Sequence, residues 1–411
     1  MSAGLALILI VVAAYLAAHV VSEWLARRFL VVSGAEYLLL GVLLGPQVSG
    51  MLTADMVGGF APIMTLAFGW IGALVGAQFL VPELIRLPAR AFRIAFGEAV
   101  ITLVVVGSIM GATLAWWFAL PREAVVVPGI ALGAIAVVSG PAGIAMVARA
   151  VRARSSLLRQ LQITAAADAA VAVVAFGLLL SITHPGTATS AGRPTATEWA
   201  LIAVGIGVVG GTLFHLFLGA EGNIDRLVVA LMGALILASG AAAYLRLSPL
   251  LPAMLIGFVL VNTSASRNEI RQVLAKVERP LYFVLLIFAG VAWQAGTWAW
   301  VVPTVVFLVA RPLAKLGGAR IAARAAGGLP GLGPAWGIGL LGHGGLALAI
   351  AFNFQLYADS PLGDIVFTAA IASVLLTDLF SARVVQAAVG SHAARIRGAR
   401  GGNQDDTREA V

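Results

Sequence analysis

Apolar stretches long enough to cross a lipid bilayer recur along almost the whole of this chain. About 20 apolar residues are needed for a helix to span the hydrocarbon core. Applied with a tolerance of several residues at each end, this criterion gives thirteen stretches of 15 to 27 residues, and we number them as spans 1–13. They lie at 3–22, 34–50, 59–80, 94–118, 124–148, 160–183, 198–218, 225–245, 248–262, 279–295, 298–318, 334–353 and 363–389. Backbone polar groups in hydrocarbon must bond within their own segment, so the pattern predicts an all-α polytopic membrane protein with 13 transmembrane helices.

The composition excludes several other classes of protein. Of the 411 residues, 61% are hydrophobic and 11% are charged, and the mean hydropathy is +1.00. The chain contains no cysteine, which excludes a disulfide framework and a thiol nucleophile. HExxH and GxSxG motifs are both missing, so the sequence favours a non-enzyme without a cofactor. The basic residues lie between apolar spans, which indicates membrane topology and not nucleic-acid binding.

Lys and Arg residues are segregated between the two sides of the predicted bundle. All but five of the 26 follow odd-numbered spans or lie near the C-terminus; the exceptions are Arg122, Arg193, Arg246, Arg311 and Lys315. Cytoplasmic loops carry an excess of these residues. We therefore expect a protein of the bacterial cytoplasmic (inner) membrane, with its N-terminus outside and its C-terminus inside. Residues 391–411 are then a short cytoplasmic tail.

One carboxylate is predicted to lie at membrane depth. Asp168 belongs to span 6, where the stretch 161–183 carries no other charge. A charged residue at the bilayer centre costs about 2.5–3.5 kcal/mol on insertion scales, and it faces a bundle interior or a wet cavity. Asp168 is therefore a candidate carrier of a proton or a monovalent cation; the alternative is a polar contact between helices. Thr164 lies one turn earlier and can share its face.

Two spans are interrupted near their middles. Span 5 contains Ser139-Gly140-Pro141 followed by Gly143, and span 12 contains Gly342-His343-Gly344-Gly345. Proline and glycine both disfavour a continuous helix. Unwound backbone is tolerated at membrane depth where it lines a cavity, and paired breaks point to a transporter site. The alternative is that these glycines only allow helices to cross closely.

The interruptions occupy corresponding positions of two predicted repeats, spans 2–6 and spans 9–13. The fourth span of each repeat is broken, and the fifth carries an acid, Asp168 or Asp378. An offset of seven spans inverts the second repeat relative to the first. Inverted repeats with broken helices are typical of secondary transporters.

Several sequence patterns, in this order, resemble the monovalent cation/proton antiporter superfamily over nearly all of residues 1–390. The patterns are EYLLLGVLLGP at Glu36–Pro46, LSPLLPAMLIGFVLVN at Leu247–Asn262, PLYFVLLIFAGV at Pro280–Val291, VARPLAKLGG at Val309–Gly318 and LLTDLFSARVV at Leu375–Val385. The resemblance implies a sodium/proton antiporter fold with two crossed discontinuous helices. It also implies a homodimer that works by elevator-like alternating access.

The resemblance further implies a division of one transporter domain, residues 1–390, into two parts. The dimerisation part covers roughly 1–90 and 220–295, and the ion-translocating core roughly 91–183 and 298–390. The chain departs from the family at the site. Ala167-Asp168 replaces the usual Asp-Asp or Asn-Asp pair, Ser139-Gly140-Pro141 replaces Thr-Asp-Pro of one branch, and His343-Gly344-Gly345 replaces an Arg-Gly-Glu-like group.

The predicted ion site consists of Asp168 with Thr164, Ser139 and Gly140. We expect Arg311, Lys315 and Asp378 to be charges that support it. Arg311 neutralises the empty site or compensates the negative ends of the broken helices; the alternative is a structural ion pair with Asp378.

Two further charged side chains are expected near the membrane surface. Lys315 is expected to reach the cytoplasmic surface along its flexible stem. Glu98 lies near the end of its span, and we expect it at the interface; the alternative is that it guards a cytoplasmic funnel.

The sequence therefore predicts a transporter that exchanges protons for Na⁺ or K⁺, one for one and without net charge movement. Its partners are the cation, the proton, membrane lipid and a second copy of the chain. Two alternatives stay open: an organic-anion/sodium symporter of the bile-acid-transporter type, and a sensor that no longer transports.

Overall fold

The structure is a computed structural model that describes residues 35–141, 144, 156–185, 194–218, 223–293, 298–328, 332, 336–358 and 362–377. All regular secondary structure within these ranges is helical. The α-helices are α1 Ala35–Leu44, α2 Ala54–Gly59, α3 Ala61–Gly76, α4 Val81–Leu84, α5 Ala89–Phe118, α6 Arg122–Val137, α7 Ser156–Ile182, α8 Ala196–Leu218, α9 Ile224–Tyr244, α10 Leu250–Thr263, α11 Arg267–Ala292, α12 Val301–Ala325, α13 Gly345–Tyr357 and α14 Leu362–Thr377. Short 3₁₀ helices cover Trp298–Trp300 and Trp336–Leu340.

The all-α prediction is confirmed. Each of spans 2–13 contains a helix in the described part of the chain, whereas span 1 lies outside it. By length and hydropathy, five of the described helices can cross a membrane: α5, α7, α8, α9 and α12 with the 3₁₀ turn before it. The shorter apolar helices include α3, α10, α13 and α14.

Several helices extend beyond the apolar spans that predicted them. Helix α11 begins at Arg267, whereas span 10 begins at 279, and α12 continues to Ala325. The basic residues expected in loops there are therefore helical. Hydropathy marks the part of a helix that suits hydrocarbon, but backbone hydrogen bonds continue until a cap or a turn ends the helix.

The helices pack in two sets, one of which contains the interrupted segments. Helices α3, α8, α9, α10 and α11 share an apolar cluster that includes Trp70, Leu231 and Ile256. In the other set, α5 packs against α6, α7 and α12, and α6 also packs against α7 and α13. This second set brings one face of α7 and one face of α12 toward the interruptions.

Candidate ion-binding site

Both interruptions predicted from the sequence are present in the structure. Helix α6 ends at Val137, residues 138–140 are non-helical, and Pro141 and Ile144 are helical again. On the opposite side, residues 341–344 separate the 3₁₀ helix from α13. The second break is one residue earlier than the glycine group suggested, since Gly345 begins α13. Gly143 lies outside the described residues.

The two non-helical segments touch through their backbones. The N–H of Gly140 donates to the carbonyl of Gly342 at 2.9 Å. A Cβ at Gly140 would lie 2.9 Å from the carbonyl oxygen of His343, so a larger residue would push the segments apart. Gly344 has a φ of 98°, a conformation that L side chains rarely adopt. The glycines therefore permit both the break and the crossing.

Arg311 of α12 binds four backbone carbonyl groups at the crossing. Its guanidinium donates to the carbonyls of Ala136 at 3.2 Å, Val138 at 2.9 Å, Leu341 at 2.7 Å and Gly342 at 3.2 Å. Carbonyls at a helix C-terminus lack internal donors and carry partial negative charge. Arg311 thus lies against the ends of the broken helices, where it can compensate their negative charge as the sequence analysis predicted. Asp378, the partner in the alternative ion pair, lies outside the described residues.

Asp168 is fully buried beside this crossing. Its Oδ2 lies 2.5 Å from Ser139 Oγ and 2.6 Å from Lys315 Nζ. Ser139 Oγ is also 3.1 Å from the carbonyl oxygen of Leu340, so its one hydrogen is offered to either acceptor. Among the described residues, Asp168 Oδ1 has no hydrogen-bond partner. One oxygen of the carboxylate is therefore held, and the other is open.

The prediction that Lys315 reaches the cytoplasmic surface is wrong. Its side chain is 0% exposed, and Nζ contacts Glu98 Oε2 at 3.3 Å as well as Asp168. Glu98 is also 0% exposed, so its expected interfacial position is wrong too. Thr102 Oγ1 donates to Glu98 Oε1 at 2.8 Å.

The sequence offered one signal for this cluster. Lys315 follows Arg311 by four residues, so the two cations share a face of α12, and a cation inside an apolar helix needs an anion on a neighbouring helix.

Thr164 and His343 are bonded to other groups. The Thr164 hydroxyl donates to the carbonyl of Gln160 at 2.9 Å and accepts from Gln160 Nε2 at 3.3 Å. His343 Nε2 lies 2.8 Å from Ser373 Oγ on α14. Of the predicted hydroxyl ligands, the structure therefore brings Ser139, but not Thr164, into hydrogen-bonding contact with Asp168.

An interrupted pair of helices that cross beside a buried carboxylate, inside an all-α bundle, defines the class of secondary transporters. The family model described as "Sodium/hydrogen exchanger, transmembrane" matches residues 74–387. The chain belongs to this family of cation/proton exchangers, and it is therefore a transporter integral to a membrane and not an enzyme. Comparison with curated proteins gives no match.

The fold is similar to that of a solved antiporter. The sodium proton antiporter MjNhaP1 from Methanocaldococcus jannaschii, in its structure at pH 8, gives a TM-score of 0.66 at 16% identity, over 92% of this chain and 98% of that chain. Its electron-microscopy structure gives 0.64 at 16% identity, over 96% and 97%. These likenesses confirm the antiporter fold that the sequence patterns implied.

Proposed function

We propose that this protein exchanges one monovalent cation for one proton at Asp168. The observation that carries the proposal is the Asp168 carboxylate, which is buried at the crossing. Its Oδ1 has no hydrogen-bond partner among the described residues. A carboxylate binds a proton or a cation but not both at once, so the two substrates exchange and do not travel together. The family description supports Na⁺ as the first cation to test, and K⁺ is the second candidate.

The oxygen ligands proposed for the cation come from the two interruptions. Ser139 Oγ already contacts Asp168, and carbonyl groups at the break around Gly140 are within the same crossing. Unwound backbone and the ends of half-helices coordinate cations in other transporters. Thr164 joins this shell only after its hydroxyl leaves Gln160, so we rank it below Ser139 as a ligand.

The buried charges support electroneutral exchange. Asp168 and Glu98 as carboxylates and Lys315 as an ammonium carry a net charge of minus one, while Arg311 is bound to backbone carbonyls. One added proton or one added monovalent cation makes the cluster neutral. The loaded site therefore crosses the membrane with the same charge in both directions, provided that Lys315 keeps its proton and Glu98 stays ionised.

The experiment is Na⁺-driven proton movement in proteoliposomes. Asp168→Asn should abolish it, because an amide neither binds a transferable proton nor offers a negative charge. Glu123→Gln is the matched control, since it removes an exposed carboxylate at the start of α6, and it should exchange normally. Exchange by folded Asp168→Asn protein at the native rate contradicts the proposed site. Counterflow of an organic carboxylate in place of proton exchange would favour the symporter alternative.

The same vesicles test the stoichiometry. With the membrane potential clamped by K⁺ and valinomycin, a one-for-one exchange should reach the same end point at every potential. A carrier that moves one net charge gains about 2.3 kcal/mol per 100 mV, so its end point would shift strongly. Such a shift would show that a second proton moves with each cation.

A further inference from the structure

Lys315 lies between two carboxylates that belong to different helices. Asp168 is on α7 and Glu98 is on α5, and both are in contact with the same Nζ atom, at 2.6 Å and 3.3 Å. All three side chains are 0% exposed. The shorter distance shows that Asp168 is the principal partner in this structure, and that Glu98 is a second anion within reach of a small movement of the lysine.

The Glu98 carboxylate is held in place from its other side. Thr102, one turn further along α5, donates its hydroxyl to Oε1 at 2.8 Å, which leaves Oε2 directed at Lys315. An anchored acceptor needs no rearrangement to receive the ammonium group. Because Thr102 is also fully buried, water does not compete for this hydrogen bond.

A cation at the Asp168 carboxylate competes with the ammonium group of Lys315 for the same negative charge, and the repulsion between the two cations favours movement of the lysine away from Asp168. A buried ammonium without a partner is strongly unfavourable, because burial removes its hydration and nothing replaces it. The lysine then either loses its proton or finds another anion. Loss of the proton would add a second proton to every cycle, whereas a new anion keeps the lysine charged.

We propose that Glu98 is this second anion, and that Lys315 moves from Asp168 to Glu98 when the cation binds. This inference rests on the proposed function, because it assigns to Glu98 a part in cation binding at Asp168. Glu98 does not contact the cation; it is a positioning residue that makes displacement of the lysine inexpensive. When Asp168 holds the transported proton, Lys315 stays at Glu98, and it returns to Asp168 only when the site is empty.

The test is a double-mutant cycle on the affinity for Na⁺. Glu98→Gln should raise the KM for Na⁺ by about tenfold or more, because the displaced lysine has no anion to receive it. The maximal rate at saturating Na⁺ should change much less. In a Lys315→Met background there is no ammonium to relocate, and adding Glu98→Gln should change the KM by about threefold at most.

Conservative variants separate positioning from folding. Glu98→Asp keeps the anion and should recover part of the affinity, and Thr102→Val, which frees Glu98 to turn away, should raise the KM in the same direction but less. Binding of radioactive sodium to purified protein gives the same cycle without transport, so a slow variant still reports its affinity. Melting curves establish that each variant is folded.

Three outcomes overturn the inference. An unchanged KM in Glu98→Gln shows that Lys315 needs no second partner. An equal rise with and without Lys315 shows that Glu98 acts on the cation directly. A folded Glu98→Asp variant that recovers none of the Na⁺ affinity shows that the negative charge at this position is not the cause of the effect. The same binding assay separates failure of this inference from failure of the proposed function. If the proposed function is wrong, folded Asp168→Asn protein still binds Na⁺.

Discussion

At the scale of single residues, the ion pair between Asp168 and Lys315 dominates the behaviour of the site. Removing one partner of a buried pair leaves the other charge uncompensated, at a cost of about 3–5 kcal/mol. The pair is therefore stable until another cation or a proton takes the place of the ammonium. In the proposed mechanism, competition among Lys315, Na⁺ and the proton for one carboxylate gives the site its exchange chemistry.

Ser139 and Thr164 should differ in their effect on cation affinity. Ser139→Ala removes a hydroxyl that contacts Asp168 at 2.5 Å, and a hydrogen bond to a charged group contributes about 1.5–3 kcal/mol. We therefore expect the KM of the Ser139→Ala variant for Na⁺ to rise by about tenfold or more. Thr164→Val removes a hydroxyl bonded to Gln160, so we expect a lower melting temperature with a nearly unchanged KM. Initial rates of exchange at varied Na⁺ measure both.

Ser139→Thr is the control for that comparison, because it keeps the hydroxyl and should keep most of the affinity. A larger KM effect at Thr164 than at Ser139 would restore the ligand set that the sequence favoured, with Thr164 facing Asp168 along α7.

At the scale of elements, the two interrupted helices depend on a side chain from a third. The backbone groups that α6 and the 3₁₀ helix Trp336–Leu340 leave free are buried, and unsatisfied carbonyl groups are costly there. Arg311 of α12 satisfies carbonyls from both segments. The interruptions and α12 therefore form one structural unit, which the sequence presents as three separate spans.

Arg311→Lys should destabilise this unit although it keeps the charge. The guanidinium reaches four carbonyls through a rigid planar fork, whereas an ammonium has three donors at one point. Each buried carbonyl left without a donor costs about 1–3 kcal/mol. We expect a fall of about 5 °C or more in the melting temperature, measured on purified protein in detergent.

Arg324→Lys is the matched control on the same helix, because Arg324 is exposed. It should melt within about 1 °C of the native protein, as most surface substitutions do. Equal melting temperatures for Arg311→Lys and the native chain would show that the capping bonds contribute little to stability.

At the scale of the whole molecule, we propose that the core (roughly 91–183 and 298–390) carries the site and moves against the dimerisation part (roughly 1–90 and 220–295). In this proposal the dimerisation part joins two copies of the chain. Segregation of Lys and Arg supports an N-terminus outside and a C-terminus in the cytoplasm of a bacterial inner membrane.

Cysteine labelling tests this orientation directly, because the native chain contains no cysteine. A cysteine at exposed Glu123, at the start of α6, should react with an impermeant maleimide added to intact spheroplasts. A cysteine at exposed Asn268, at the start of α11, should react only after the membrane is opened. The reverse labelling pattern would show that the proposed topology is inverted.

The proposed dimer is tested by chemical cross-linking in liposomes, where the cross-linked product should have twice the mass of the chain.

The sequence by itself determined that spans 2–13 contain helices, where two of these spans break and that Asp168 is buried. These properties are local, because hydropathy, proline and glycine act through a residue's own segment. Gly140 and Gly344 were recognisable for the same reason. Helix ends such as Arg267 are harder to predict from the sequence, because the helix extends beyond the apolar residues.

Only the tertiary structure decided which charges meet. Lys315 is 147 residues from Asp168 and 217 from Glu98 along the chain, and no local pattern relates them. When a helix is apolar on most sides, its sequence does not show which face packs against a neighbouring helix. A lysine near the end of its apolar span is therefore compatible with snorkelling to the surface and with a buried ion pair. The packing of α5 and α7 against α12 resolves this, because it brings a carboxylate from each helix to the buried ammonium group.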